Sequence, residues 1–443
     1  MDKHYVGSFE IDDRQFEGEI IHNAQTGIIR LVVTFELSSS VGFRIKRSKN
    51  PKVIIGRLNN GNVVNLYNNE LIENITQNFQ YQKLVYSVKY MIWSYRKLPL
   101  PQFNILICEI ENGLLWSGLT AIDTEELTSI HIKDITPKTF IWYNAKITFS
   151  TVLRSNLIGS LRKETCEIVE HLLITIETEE KKDVAFFTYI RDKILAMISF
   201  AIKDNINILK QYFLCNDDFT FENERKNYVK HFMFDDNPKY KIQENHPAEY
   251  NFKLNNLPED DAEIPQKLEK LAPIFNLYLS LFKYPHMPFE MVFLNIVQAL
   301  ETLHSRFFYN NDKKKYINYV KERFDEGSLQ YKLLLSATQI DPNCGYIILL
   351  SRLNDLLIRG KKDIFVRFYK DDLDFVQRIV DTRHYYTHYG ENKRNKALKG
   401  DNLLDSICIL SIILEYYVCD ILGIDVSDQV ANDLRHLVPD EHD

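Results

Sequence analysis

Apolar and polar positions alternate along residues 1 to about 155 in short runs such as GIIRLVVTFEL, KVIIGRL, FNILICEI and FIWYNAKITF. The runs are rich in β-branched and aromatic residues. Turn signals such as NNGN (59–62) and ENG (111–113) separate them. A period of two with this chemistry predicts strands. IDDRQFEGEIIHN (11–23) followed by TGIIRLVVTFE (26–36) predicts a hairpin. Many short strands in one block predict a sandwich or an open barrel. Trp116 and Trp142 fall in strand-like segments and read as core aromatics.

Residues 156–264 are mixed. CEIVEHLLITIET (166–178) reads as one long strand, whereas Val184, Phe187, Ile190, Ile194, Met197 and Ile198 have helical spacing. The polar stretch 234–263, with Pro258 and Pro265 near its far end, reads as a linker. From Pro265 onward the period is helical throughout. PFEMVFLNIVQALETLHSRFF (288–308) repeats apolar residues at Val292, Ile296, Ala299, Leu300 and Leu303. Further helices are predicted at 313–324, 328–338, 345–359, 370–388 and 402–422, joined by short charged loops, as in a bundle with antiparallel neighbours. The fold class is α+β in three parts: a β-rich domain over 1–155, a mixed connecting region and linker over 156–264, and an all-α bundle over 265–443.

Composition narrows the function. The net charge of −7 excludes a wholesale nucleic-acid coat protein, so any nucleic-acid contact is local. Residues 275–443 hold 21 Lys and Arg against 24 Asp and Glu, which confines such a contact to a patch. The six cysteines form no CxxC pair; a zinc site is unsupported, and so is a disulfide framework in a chain this long. Cys408 and Cys419 lie eleven residues apart and read as core thiols on one helix face. The N-terminus has no apolar leader, and Glu415 and Asp420 interrupt the most apolar stretch, Ser406 to Ile424. The expected location is the cytoplasm, without membrane contact. Phosphate-binding glycine loops, HExxH and GxSxG are absent from the sequence, and no cofactor is implied.

The candidate chemistry lies in LDFVQRIVDTRHYYTHYG (373–390). Leu373, Val376 and Val380 predict the stripe that faces the bundle core, and Arg383 and Thr387 continue it. An arginine on an apolar stripe needs an answering charge: phosphate, a carboxylate such as Asp381, or a partner subunit. His384 and His388 are one turn apart, and Gly390 is the predicted helix stop. Arg–His spacings of this kind also occur at Arg225/His231, Arg378/His384 and Arg435/His442, so spacing alone carries little. What distinguishes Arg383 and His388 is the helical context, the run Tyr385, Tyr386 and Tyr389, and the basic loop NKRNKALKG (392–400) just beyond. Its Lys393, Arg394, Lys396 and Lys399 are candidate phosphate contacts, with KKK (313–315) and RGKK (359–362) as further cations. Asp381, Tyr386 and Glu301 are candidate supporting residues, Glu301 as a partner for Arg383 or as a surface carboxylate.

At VDTRHYYTHYG the chain resembles the HEPN ribonucleases, whose signature is an arginine, a polar residue, a few positions and a histidine. The β-rich region ahead of it, and ALETLH (299–304) in an early bundle helix, resemble the ApeA-like bacterial anti-phage proteins. The family often has Asn after the arginine, where this chain has His384. The resemblance implies a metal-independent endoribonuclease of abortive-infection defence, with RNA, and tRNA among the RNAs, as substrate. It implies that His388 is the base or acid, Arg383 the transition-state stabiliser, and His384 a second proton carrier or a positioning group. It also implies a homodimer or higher homo-oligomer and a β-rich domain that senses a phage-derived trigger or restrains the nuclease. The rival readings are a catalytically inactive HEPN module that dimerises and binds RNA or protein, and a purely structural adaptor.

Overall fold

The computed structural model describes residues 2–36, 50–77, 80–98, 101–123, 131–160, 163–222, 225–243, 245–259, 261–339 and 346–437. The chain divides into two compact units. One comprises residues 1–192 and 206–243, the other residues 193–205 and 244–443.

The first unit is built on strands β1 (Asp2–Ile11), β2 (Arg14–Asn23), β3 (Ile29–Glu36), β4 (Val53–Leu58), β5 (Val63–Gln77), β6 (Tyr81–Ser94) and β7 (Gln102–Glu111). A short helix α1 (Leu114–Ser117) follows, then β8 (Ile122–Asp123), β9 (His131–Ile132), β10 (Lys138–Trp142), β11 (Ala145–Ser160) and β12 (Lys163–Asp183). After helix α2 (Val184–Ile202) come β13 (Asn207–Leu214), β14 (Phe219–Glu222), β15 (Arg225–Tyr228) and β16 (His231–Asp235).

The strand order of the large sheet is β10-β11-β12-β7-β13-β16-β6-β3-β2-β1-β4-β5, and β5 also pairs with β6. The first six strands therefore close into a ring, β1-β2-β3-β6-β5-β4. The hinge of the architecture is β6. Its residues Tyr81–Val88 pair with β3, and its residues Tyr90–Trp93 pair with β16, so one strand belongs to both the ring and the open sheet. Alternation fills the ring: Ile29, Leu31 and Val33 of β3 point inward with Phe9, Ile20, Ile54, Leu66 and Leu84. A Cβ at Gly56 would come within 2.5 Å of the Phe9 ring, so the glycine makes room for that core aromatic.

Three expectations need correction here. The expected boundary at 155 falls inside β11, which pairs with β12 along its whole length, while β7 binds both β12 and β13. Strands β12, β13 and β16 thus continue the same sheet as β7 and β11, and the boundary at 155 separates hydrogen-bonded neighbours. Trp116 sits in α1 rather than a strand, although it is wholly buried against Phe149. The expected linker 234–263 is packed chain: Tyr250, Phe252, Leu254 and Leu257 are buried, and the Asn251 N–H donates to the Ala201 carbonyl at 2.7 Å.

The second unit takes in the end of α2 and helices α3 (Ile264–Lys283), α4 (Phe289–Phe307), α5 (Lys313–Arg323), α6 (Leu329–Gln339), α7 (Leu349–Arg359), α8 (Arg367–Lys370), α9 (Phe375–His388), α10 (Asp401–Leu422) and α11 (Ser427–Leu437). Four of them meet on one apolar core, with Leu300 from α4, Leu353 and Leu357 from α7, Val376 and Ile379 from α9, and Leu410 and Ile413 from α10. Among the described residues, no helix is long and apolar enough to cross a membrane. Cys419 of α10 is buried but Cys408 is exposed, because only the C-terminal half of that helix is enclosed on all sides. Cys344 lies outside the described residues.

One buried histidine gives the bundle a pH dependence. His304 of α4 is wholly buried; its Nε2 lies 3.0 Å from Asp355 Oδ2, and its Nδ1 has no hydrogen-bond partner among the described residues. That pattern fits a neutral ring donating from Nε2. Burial holds its pKa below the ordinary 6.5 although Asp355 opposes the shift. Above pH 6.5 both folded and unfolded chains carry the neutral ring. As pH falls below that value the unfolded chain takes up the proton first, so stability is lost from there down to the folded pKa. The loss is up to about 1.4 kcal/mol per pH unit. Once the intrinsic slowing of exchange with falling pH is divided out, amide protection along α4 and α7 is expected to fall between pH 7 and pH 5, and His304→Gln should flatten that slope.

A candidate active site on the ninth helix

Helix α9 buries Phe375, Val376, Ile379 and Thr382. The buried stripe is therefore turned by about one position from the predicted Leu373, Val376 and Val380, and Leu373 is exposed. The bidentate pair Arg378–Asp372, at 2.9 and 2.5 Å, fixes the start of the helix. At the far end Tyr389, not Gly390, takes the left-handed conformation with φ 49°, and its N–H donates to the Tyr385 carbonyl.

This rotation leaves Arg383 at the edge of the stripe. Its guanidinium Nη2 lies 3.9 Å from Glu301 Oε2 on α4, and both side chains remain more than a third exposed. Glu301 is held from behind, because Arg352 of α7 donates to its backbone carbonyl at 3.5 Å and to Asn311 at 2.5 Å. His384 and His388 stand on the exposed side of α9, with ring centroids 4.9 Å apart and planes at 56°. Arg383 and His388 both reach solvent. They lie five positions apart, which is about 7.5 Å along the axis and a turn of roughly 140°. They flank the exposed face rather than sharing one line on it.

Asp381 is buried and accepts from Gln377 Nε2 at 3.2 Å and from Lys393 Nζ at 2.5 Å. Lys393, expected to hold RNA, thus has its charge answered by Asp381, which lies on α9 two residues before Arg383. Two more contacts staple the same loop to the helix. The Leu398 N–H donates to Thr382 Oγ1 at 3.0 Å, and the Tyr386 hydroxyl donates to the Leu398 carbonyl at 2.9 Å. The effect is to hold Lys396 and Lys399, both exposed, beside the C-terminal half of α9. Arg394 lies 3.6 Å from Glu391 in an exposed pair. Of the further cations, Arg359 is not available to a polyanion: it is caged by Phe308, Tyr309 and Tyr319 and bound to Asp355. Lys361 and Lys362 pair with Asp420 and Asp428.

Sequence reasoning missed Thr382, whose hydroxyl ties the loop, and Arg352, which anchors Glu301. Neither position carries a motif; only the fold makes them neighbours. It also missed a Ser–His–Asp chain in the first unit. Ser94 Oγ lies 3.0 Å from His231 Nδ1, and His231 Nε2 lies 3.0 Å from Asp218 Oδ2. His231 is wholly buried, and Asp218 also binds Tyr95 and Arg96. The array braces β6 against β16 and offers no accessible nucleophile.

Comparison with known families decides the affiliation. Residues 294–428 match Apea-like HEPN, and residues 4–267 match ApeA N-terminal domain 1, which alone covers more than half of the chain. The chain belongs to the ApeA-like HEPN family. No curated protein and no solved structure matches it. Membership in the ApeA-like HEPN family points to anti-phage defence of a nuclease type, and HEPN domains commonly dimerise and act on RNA. The HEPN match contains Glu301, Arg383, His384, His388 and the stapled loop, so the residues assembled above all lie within it.

Proposed function

We propose that the chain is a metal-independent endoribonuclease of abortive-infection defence, cutting RNA, with tRNA among its substrates, at Arg383 and His388. The observation that carries this reading is the contrast on α9. The neighbouring charges Asp381, Lys393 and Arg378 are consumed in close pairs, whereas the Arg383 fork, 3.9 Å from Glu301, and the two imidazoles face solvent.

The chemistry needs only these groups. A base takes the proton of the substrate 2′-OH, and that oxygen attacks phosphorus. The P–O5′ bond breaks, and an acid protonates the leaving O5′, giving a 2′,3′-cyclic phosphate and a 5′-hydroxyl. An imidazole serves as base or acid near neutral pH, and a guanidinium fork matches two phosphate oxygens as charge builds on them. One His388 cannot fill both proton roles at once. His384, or the His388 of a second copy facing the first, supplies the other. A homodimer across this face also brings two arginines to one phosphate. In this reading the β-rich unit senses the infection cue or restrains the nuclease until the cue arrives.

The test uses the full chain with total RNA and EDTA, in lysates from uninfected and phage-infected cells. Wild type is expected to produce fragments with 2′,3′-cyclic ends, and Arg383→Ala and His388→Ala to produce none. Cleavage abolished by EDTA, or absent from wild type under both conditions, overturns the proposal.

A further inference from the structure

Beside the tyrosines of α9 lies a hollow of about 530 Å³, walled by Glu290, Met291 and Leu294 of α4, by Tyr385 and Tyr389, and by Lys399 on its rim. Resting on the ribonuclease reading, we propose that this hollow is a base-recognition subsite, holding the base of a nucleotide next to the scissile phosphate, with guanine as its preferred occupant.

Geometry places it next to the chemistry. Along α9 the histidines 384 and 388 form one column and the tyrosines 385 and 389 form the next, each pair one turn apart. Tyr389 lies six residues beyond Arg383, about 9 Å along the helix axis. A strand whose phosphate meets Arg383 and His388 therefore reaches the hollow with an adjacent nucleotide. The volume falls within the roughly 300–1,000 Å³ of small-ligand sites.

The lining selects the occupant by chemistry. Tyr389 is the most exposed tyrosine of the trio, at 67%, and its left-handed backbone turns it out of the helical path. Its ring stands edge to face with Tyr385 at 5.6 Å, leaving an aromatic face for stacking. Glu290 and Lys399 make no hydrogen bond or ion pair among the described residues, so an acceptor pair stands on one wall and a cation at the mouth. A nucleotide complements all three: a π face for Tyr389, an N–H edge for Glu290 and a phosphate for Lys399. Guanine fits the carboxylate best, because its N1–H and its exocyclic amine lie side by side and meet both oxygens. Adenine and cytosine offer one amine on that edge, and uracil one imide N–H. The loop staples at Lys393 and Leu398 hold Lys399 in place.

Binding separates this proposal from the nuclease reading. The full-length His388→Ala chain, which leaves the RNA uncut, is titrated with the pentanucleotides UUGUU, UUAUU, UUCUU and UUUUU by fluorescence anisotropy. UUGUU is expected to bind about tenfold more tightly than the others. Adding Tyr389→Ala should weaken UUGUU about tenfold, with Tyr389→Phe retaining affinity. Glu290→Gln should erase the guanine preference while leaving UUUUU binding unchanged. Equal affinity for the four oligonucleotides, or indifference to Tyr389→Ala, overturns the subsite. So does a change of sedimentation with Tyr389→Ala at unchanged base preference, which would make the hollow a contact between copies. Loss of cleavage in the wild-type assay sinks the nuclease reading without touching these titrations.

Discussion

Asp355→Ala is expected to destabilise the helical unit by about 3–5 kcal/mol, enough to unfold a marginal bundle near body temperature. Asp355 is almost wholly buried and is the one acceptor shared by three groups. His304 Nε2 lies at 3.0 Å, Arg359 Nη2 at 3.2 Å and the Tyr309 hydroxyl at 3.5 Å. Arg359 is the costly partner. Its guanidinium lies 4.4 Å from the centre of Phe308 and 4.8 Å from that of Tyr319, and its Nε has no hydrogen-bond partner among the described residues. The ring faces and the Tyr309 hydroxyl, to which it also donates, offset part of its desolvation, but Asp355 carries its counter-charge. Removing the carboxylate leaves a half-buried guanidinium without its counter-charge and a buried imidazole N–H unanswered together. The double variant Asp355→Leu, Arg359→Met removes both charges and should recover much of the loss, because breaking a buried pair costs more than deleting it. Urea denaturation followed by helical circular dichroism on the three full-length chains checks the order: wild type, then the double variant, then Asp355→Ala. A single variant as stable as wild type would show that water reaches this cluster.

How far the sequence foretold this arrangement depends on the range of the contacts involved. The hairpin of β2 and β3 and the helices α4 to α7, α9 and α10 were legible because each is specified by local periodicity and turn chemistry, whereas the short α8 was not expected. The 155 boundary was not legible. KETCEIVEHLLITIETEEKKD (163–183) is polar at both ends, a long helix follows it, and only non-local pairing with β7 and β11 makes it central to the sheet. The segment around Tyr250–Leu257 failed in the opposite way: its charged neighbours masked four residues whose burial depends on packing, not pattern. On α9 the apolar residues 373, 375, 376, 379 and 380 permit two stripes one position apart, and the core formed by Leu353 and Leu410 selects one. At the candidate site, Arg383 and His388 could be singled out from the helix alone. The loop contacts could not, since Asp381 with Lys393 and Thr382 with Leu398 join residues with no shared periodicity.

His388→Ala is expected to lower RNA cleavage by about 10²–10⁴-fold, the usual contribution of a positioned acid or base, and Arg383→Ala by about 10²–10³-fold. Neither change should disturb folding. His388 is exposed, and the Arg383–Glu301 pair, 3.9 Å apart with both side chains more than a third exposed, belongs to the class worth about 0–1 kcal/mol. A wild-type melting temperature alongside lost cleavage therefore separates chemistry from structure. Arg383→Lys sharpens the point. It keeps the charge but loses the planar fork, so most of the activity should go with it if two phosphate oxygens are gripped at once, whereas a simple charge effect would leave activity largely intact. Glu301→Gln tests the partner. In the free protein Glu301 competes with phosphate for the guanidinium; removing its charge should lower KM a few-fold, with kcat changed less than about tenfold, because a weak pair is exchanged and no proton is moved. Mixing Arg383→Ala with His388→Ala chains asks whether two copies share a site. Composite sites at a two-fold axis would regain a fraction of wild-type cleavage, since one of the two sites in a mixed dimer can draw an intact arginine from one copy and an intact histidine from the other. Sites confined to single chains would regain none.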